Sequence, residues 1–103
     1  MKIAIDLKYA VAHIDHSGVA TLSFREAGSL NILSSPVIKD LTTALNQLAQ
    51  RADVRTLILR GSGDKAFVAG ADISEMAQLN RESAMQFIMG LRDLCESVRS
   101  FPV

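Results

Sequence analysis

The sequence predicts an α/β fold with the element order β-β-α-β-α-α, in one domain over residues 1–103. Three observations lead to this order. Two short β-type runs near the start flank a turn, and a helix with one apolar face then leads into an apolar run. A glycine-rich segment joins that run to two further helical stretches. No low-complexity stretch or linker-like segment divides the pattern.

The first two runs, residues 9–14 and 19–24, predict an antiparallel hairpin, because residues 15–18 (Asp-His-Ser-Gly) are typical of a turn. Side chains alternate between the two faces of a strand. In the second run, this alternation places one apolar set on the buried face: Ala20, Leu22 and Phe24.

After a loop over residues 25–33, a helix is predicted with Ser34 or Ser35 as its N-cap and Pro36 in its first turn. Its apolar positions recur at helical spacing: Val37, Leu41, Ala44, Leu45 and Leu48. Residues 51–53 end this helix. Residues 54–60 are predicted to form a strand, and their apolar centre is typical of a sheet covered on both faces.

Beyond the glycine-rich segment, a short helix is predicted over residues 73–79, and Asn80 is predicted to cap a longer helix that stops before Pro102. The longer helix has an apolar stripe: Ala84, Phe87, Ile88, Leu91, Leu94, Cys95 and Val98. Cys95 is expected to be a buried small hydrophobe, and Met76, Met85 and Met89 to fill a core or an interface. No strand follows for this helix to cover, so we expect a fragment or a domain completed by other chains.

Composition excludes several classes of function. Eleven basic residues balance eleven acidic ones, and aromatic residues make up 5% of the chain, so neither nucleic acid nor a membrane is expected as a partner. No apolar run approaches the roughly 20 residues that span a bilayer. With a single cysteine and no secretory signal, the expected location is the cytoplasm. His13 and His16 lack further ligands nearby, so no metal site is predicted.

The glycine-rich segment carries the predicted chemistry. Gly70 follows a strand and a turn, and it precedes a short helix. Glycine allows a ligand to approach the backbone closely, and the N–H of Ala71 would lie at the opening of the helix. Such a donor stabilises negative charge on a carbonyl oxygen by roughly 3–4 kcal/mol in a dry site. The alternative is an ordinary strand–loop–helix connection that contains a glycine.

Residues 66–76 (Ala-Phe-Val-Ala-Gly-Ala-Asp-Ile-Ser-Glu-Met) closely resemble the first oxyanion-hole segment of the crotonase family, the enoyl-CoA hydratases and isomerases. The resemblance extends over essentially the whole chain and includes the hairpin, the loop with Asn31, the Pro36 helix and residues 53–59. It implies an incomplete crotonase-like fold of ββα repeats, an amino-terminal hairpin followed by β-α-β-α-α. Residues 1–103 are expected to be the amino-terminal part, without the carboxyl half.

The resemblance also implies roles for individual residues. Ala71 corresponds to the first oxyanion-hole N–H donor, and Lys65 to a basic position near the CoA phosphates, although an exposed turn lysine is the alternative. Four residues are expected beside the adenine and pantetheine arm: Ala66, Phe67, Val68 and Ala69. Gly70 continues this stretch, and four residues are expected to line the acyl-CoA site: Ala71, Asp72, Ile73 and Ser74. CoA would be part of the substrate, with no separate cofactor.

Two positions depart from the family pattern. Arg25-Glu26-Ala27-Gly28 stands where a proline is usual, which weakens assignment to a subfamily. Ser74 stands where a lysine is frequent, which lessens the expected grip on the phosphates.

By resemblance, the parent protein is expected to hydrate a 2-enoyl-CoA through a stabilised enolate, and to form trimers or hexamers. A second oxyanion loop and two catalytic glutamates would lie beyond Val103, so the chain alone is expected to be inactive. Glu75 and Glu82 are expected on solvated faces, and a structural role is favoured for Asp72. The alternatives are a truncated, non-catalytic interaction module and a crotonase-fold isomerase, hydrolase or dehalogenase.

Overall fold

The computed structural model describes residues 2–103. Its elements are, in chain order, β1 (Lys2–Asp6), β2 (Ala10–Ile14), β3 (Val19–Phe24), β4 (Ile32–Leu33), α1 (Ser35–Ala49), β5 (Thr56–Arg60), β6 (Gly70–Ala71), α2 (Ile73–Met76) and α3 (Arg81–Arg99). The α/β fold class is confirmed.

The main sheet is mixed and has the strand order β1-β2-β3-β5. β2 and β3 form the expected antiparallel hairpin, and β5 pairs with β3 in parallel after the crossover through α1. The Asp15 carboxylate accepts hydrogen bonds from the amides of Ser17 and Val19, at 2.8 and 2.9 Å, in the hairpin turn. These bonds, led by the one from Val19, hold the pKa of Asp15 below its usual value.

Three strands were not expected. β1 extends the hairpin into a meander by pairing antiparallel with β2. β4 lies in the predicted loop over residues 25–33, and β6 lies in the glycine-rich segment; together they form a separate two-stranded parallel sheet. Two-residue strands carry no readable alternation, and only tertiary pairing defines them. The short helix ends at Met76 rather than at Leu79.

The core lies between one face of the main sheet and α1. The predicted apolar face of α1 is buried, joined by Ile38: Val37, Ile38, Leu41, Ala44, Leu45 and Leu48. The predicted inward face of β3, which is Ala20, Leu22 and Phe24, is buried against it. α3 packs on α1, and its N-terminus has the predicted Asn80 cap, completed by Ser83 into a capping box.

The structure corrects the expectation for β5. In the part of the chain that the structure describes, β5 is an edge strand whose residues alternate between half-buried and exposed. Ile58 is 45% exposed, although this run was expected to be covered on both faces. Within residues 2–103, no further strand pairs with β5, so this edge of the main sheet stays open.

The expectation for the stripe of α3 was also too broad. Phe87 and Leu94 are buried, whereas Cys95 is exposed and Ile88 is 62% exposed. Met76, Met85 and Met89 are each at least half exposed. A helix that packs on one other helix buries only a narrow seam, so the flanks of a wider apolar stripe face outward.

In residues 2–103, no helix is both long and apolar enough to cross a bilayer.

Candidate functional site

The glycine-rich segment returns from the end of β5 to lie along the loop that precedes α1. Gly70 and Ala71 of β6 pair in parallel with Ile32 and Leu33 of β4. On the amino-terminal side of this pairing, the amide of Ala69 donates to the carbonyl of Leu30 at 3.0 Å. Backbone hydrogen bonds therefore hold the glycine-rich segment against β4 and the loop before it.

The Ala71 amide points away from β4. The Asp72 amide donates to the Leu33 carbonyl at 2.9 Å, so the Asp72 N–H faces β4. Neighbouring N–H groups of an extended backbone point to opposite sides, so the Ala71 N–H is directed away from β4. The Ala69 amide, which also faces this loop, lies before Gly70, whose positive φ interrupts the alternation. The other strand follows the same alternation, because the Ile32 amide donates at 2.9 Å to the Ala27 carbonyl, which is not part of β6.

Gly70 has the backbone conformation that brings the chain to this point. Its φ is +135°, in a region that residues with a Cβ rarely adopt. A Cβ built at Gly70 would meet no described heavy atom within 4 Å. The requirement for glycine is therefore conformational, and the space beside the backbone is open to an incoming group.

Asp72 and Glu75 have structural contacts in the described chain. The Asp72 carboxylate caps α2 by accepting a hydrogen bond from the Glu75 amide at 3.2 Å. Glu75 is half-buried and reaches the start of α1, where it accepts from the Ser35 amide at 2.8 Å and from the Ser35 hydroxyl. The Ser34 side chain occupies the N-cap position without making a capping hydrogen bond. Glu75 thus makes a structural contact that was not expected, and Glu82 is exposed.

The predicted site residues lie along one stretch of surface that follows β5. Six of them are exposed, and Ile73 is the most exposed at 81%: Lys65, Phe67, Ala69, Gly70, Ile73 and Ser74. Four are half-buried: Ala66, Val68, Ala71 and Asp72. Lys65 lines a shallow groove with Arg60 and Asp64. Their roles in binding stay predictions.

Asn31 is the residue whose importance sequence reasoning missed. It is 0% exposed and has a left-handed backbone, with φ +53°. Its side-chain amide donates to the carbonyls of Ser62 and Ala66, at 3.1 and 2.8 Å, and its side-chain oxygen accepts from the Ser62 amide at 3.1 Å. The available signal was an asparagine inside the apolar run from Leu30 to Leu33, since a polar residue there needs internal partners.

The expectation about metals concerns His13 in β2 and His16 in the hairpin turn. Within residues 2–103, no group of three or more His, Cys, Asp or Glu side chains is arranged to hold a metal ion.

Comparison with known proteins identifies the arrangement. The model of a family described as enoyl-CoA hydratase/isomerase matches residues 15–103. The chain belongs to the enoyl-CoA hydratase/isomerase family. This match confirms the resemblance to the crotonases, and it covers the hairpin turn and every element from β3 onward.

Individual members of the enoyl-CoA hydratase/isomerase family support the same assignment. The chain is 36% identical to a short-chain-enoyl-CoA hydratase of Clostridium acetobutylicum over 69 residues, which are 67% of this chain and 26% of that protein. It is 29% identical to human mitochondrial methylglutaconyl-CoA hydratase over 103 residues, which are 100% of this chain and 30% of that protein.

Solved structures of the family share the fold. An enoyl-CoA hydratase from Mycobacterium smegmatis superposes with a TM-score of 0.84 at 31% identity, over 92% of this chain and 37% of that chain. One from Bacillus anthracis superposes with a TM-score of 0.83 at 31% identity, over 91% of this chain and 36% of that chain. The chain therefore holds part of the crotonase fold and spans about a third of the length of these relatives.

Proposed function

We propose that this chain supplies the thioester-binding part of an enoyl-CoA hydratase/isomerase site, with the Ala71 N–H as an oxyanion donor. The observation that carries the proposal is the bond from the Asp72 amide to Leu33, which directs the Ala71 N–H away from β4, beside a backbone that is open at Gly70. A thioester carbonyl oxygen gains charge as an enolate forms. A fixed donor therefore stabilises the transition state more than the bound substrate.

The substrate is proposed to be an acyl-CoA, in which CoA is part of the substrate and no separate cofactor takes part. Lys65 is exposed beside the groove it shares with Arg60, so its ammonium group is free to approach the CoA phosphates. The backbone over residues 66–69, in which half-buried and exposed residues alternate, is proposed to run beside the pantetheine arm. Hydration of a 2-enoyl-CoA is the proposed reaction of the complete site, and the relatives named as hydratases support it.

Proton transfer is proposed to require groups that these residues do not supply. The two carboxylates that follow the Ala71 amide in the sequence, Asp72 and Glu75, accept hydrogen bonds at the starts of α2 and α1. A carboxylate that accepts such bonds is held in place as an acceptor and is poorly suited to move to a substrate. We therefore infer that the chain binds an acyl-CoA and does not hydrate it.

The test is a titration of the ¹⁵N-labelled chain with crotonyl-CoA. We expect the Ala71 amide signal to shift while the signals of the hairpin stay unchanged, and the enoyl absorbance to stay constant over time. CoA without an acyl group is the control, because it lacks the thioester carbonyl and is expected to leave the Ala71 signal unmoved. An unshifted Ala71 signal contradicts the proposed donor, and a falling enoyl absorbance contradicts the proposed lack of turnover.

A second candidate function, a non-catalytic association module, is favoured by the open edge of β5. An unpaired edge strand offers backbone donors and acceptors to another strand, and Ile58 adds an exposed apolar side chain. This candidate predicts that the chain self-associates as its concentration rises, which also fits the expected oligomer. Sedimentation velocity over a range of concentrations measures it, and a compact monomer throughout is the result that excludes it.

A further inference from the structure

Asn31 joins two loops that are far apart in the sequence. Both amide hydrogens and the carbonyl oxygen of its side chain are used, and all three bonds go to backbone atoms of Ser62 and Ala66. These two residues bracket the turn that contains Lys65. The Asn31 side chain therefore links the first and last residues of that turn and holds them together.

Gly61, which precedes this turn, lies in close contact with the Asn31 side chain. A Cβ at Gly61 would lie 2.5 Å from the Asn31 amide nitrogen and 2.5 Å from the Ala66 carbonyl oxygen. Such approaches are too close for any residue but glycine. The backbone at Gly61 thus packs directly against the Asn31 side-chain amide, and there is no room for a larger residue at position 61.

The geometry of the bonds requires an amide at position 31. Asparagine presents two donors and one acceptor from a planar group on a short stem. Aspartate would present a carboxylate to the carbonyl oxygens of Ser62 and Ala66, which is repulsive. Serine has one donor and a shorter reach, and glutamine is longer by one methylene group.

We propose that Asn31 is a positioning residue for the acyl-CoA site. Asn31 holds the turn that contains Lys65, and it belongs to the loop that leads into β4, the strand that pairs with Ala71. Asn31 is followed directly by β4, whose Leu33 carbonyl holds the Asp72 amide at 2.9 Å. One loop therefore sets the distance between the proposed CoA phosphate contact and the proposed oxyanion donor. This inference rests on the proposed function.

The test compares Asn31→Asp with the wild-type chain and with Ile5→Ala. Ile5 is buried in β1, at the edge of the main sheet opposite β5, so its truncation lowers stability without touching the site. Affinity for crotonyl-CoA is measured from the Ala71 amide shift, under conditions in which circular dichroism shows every variant folded. We expect Asn31→Asp to weaken binding roughly tenfold or more, because a displaced turn withdraws the charged contact of Lys65, and one hydrogen bond to a charged group has an effect of that size. Ile5→Ala is expected to bind as the wild type does.

Amide hydrogen exchange provides a second measurement on the same variants. Asn31→Asp is expected to accelerate exchange within residues 61–72 and to leave the β2–β3 hairpin protected, whereas Ile5→Ala is expected to loosen the β1–β2 pair. If Asn31→Asp does not fold, Asn31→Ser replaces it, and failure of both to fold overturns the inference in favour of a purely structural role. Equal affinity of the wild-type and Asn31 variants overturns the inference alone. Absence of binding by the wild-type chain overturns the proposed function, and the inference with it.

Discussion

Replacing Gly61 with alanine is expected to destabilise the chain by about 3 kcal/mol, at the upper end of the range for overpacking. A Cβ at this buried position would clash with the Phe67 carbonyl oxygen and would lie 2.5 Å from the Ala66 carbonyl oxygen. Both are backbone atoms, so no side chain can rotate to relieve the contact. The Asn31 side chain would be displaced as well, since its amide nitrogen lies 2.5 Å from the same Cβ.

Urea unfolding followed by circular dichroism measures this loss, and Gly90→Ala is the matched control. Gly90 lies inside α3, and a Cβ there would meet Ile38 Cγ2 at 3.8 Å, an ordinary contact. The control is expected to stabilise the chain by about 0.5–1 kcal/mol, because alanine loses less conformational entropy than glycine in a helix. Equal stability of the two variants would show that the Gly61 loop relaxes without cost.

Truncating Leu45 to alanine is expected to reduce the free energy of unfolding by about 2–5 kcal/mol. Leu45 is 1% exposed and belongs to the face of α1 that covers the main sheet. Removing three carbon atoms loses their transfer free energy and leaves a cavity between helix and sheet. A domain of this size is typically stable by about 5–15 kcal/mol, so the variant is expected to be partly unfolded at physiological temperature.

The control for Leu45 lies on the same helix. Gln47 is exposed, and Gln47→Ala is expected to change stability by less than about 0.5 kcal/mol. Thermal unfolding of the two variants, followed at the helical band, provides the comparison. A loss below about 1 kcal/mol for Leu45→Ala would mean that α1 does not form the core described above.

Features that depend on neighbours in the sequence were predicted well. The hairpin was predicted from the alternation of side chains around a turn of typical composition, and its pairing is confirmed. The apolar face of α1 was predicted from helical spacing, and Asn80 was predicted as a cap. In each case the residues that determine the feature lie within a few positions of one another, so their spacing along the chain is enough to predict the local structure.

Features that depend on distant partners were missed or misjudged. Cys95 lies on an apolar stripe in the sequence but is exposed, because α3 packs on α1 through a narrower seam. Glu75 was expected in solvent, yet it reaches the start of α1. The apolar run in β5 was expected to be covered on both faces, but every second residue is exposed, because cover depends on which distant elements pack on each face.

The glycine-rich segment shows the same division within one site. Its residue types and spacing were enough to predict a backbone donor at Ala71 and to indicate the crotonase family, since both depend on local order along the chain. The direction of that donor is set by the pairing of β6 with β4, and the shape of the adjoining turn is set by Asn31. Hydrogen bonds between segments this far apart form only after the chain has folded. The position of the proposed donor could therefore be predicted from the sequence, whereas the direction of its N–H depends on the tertiary structure.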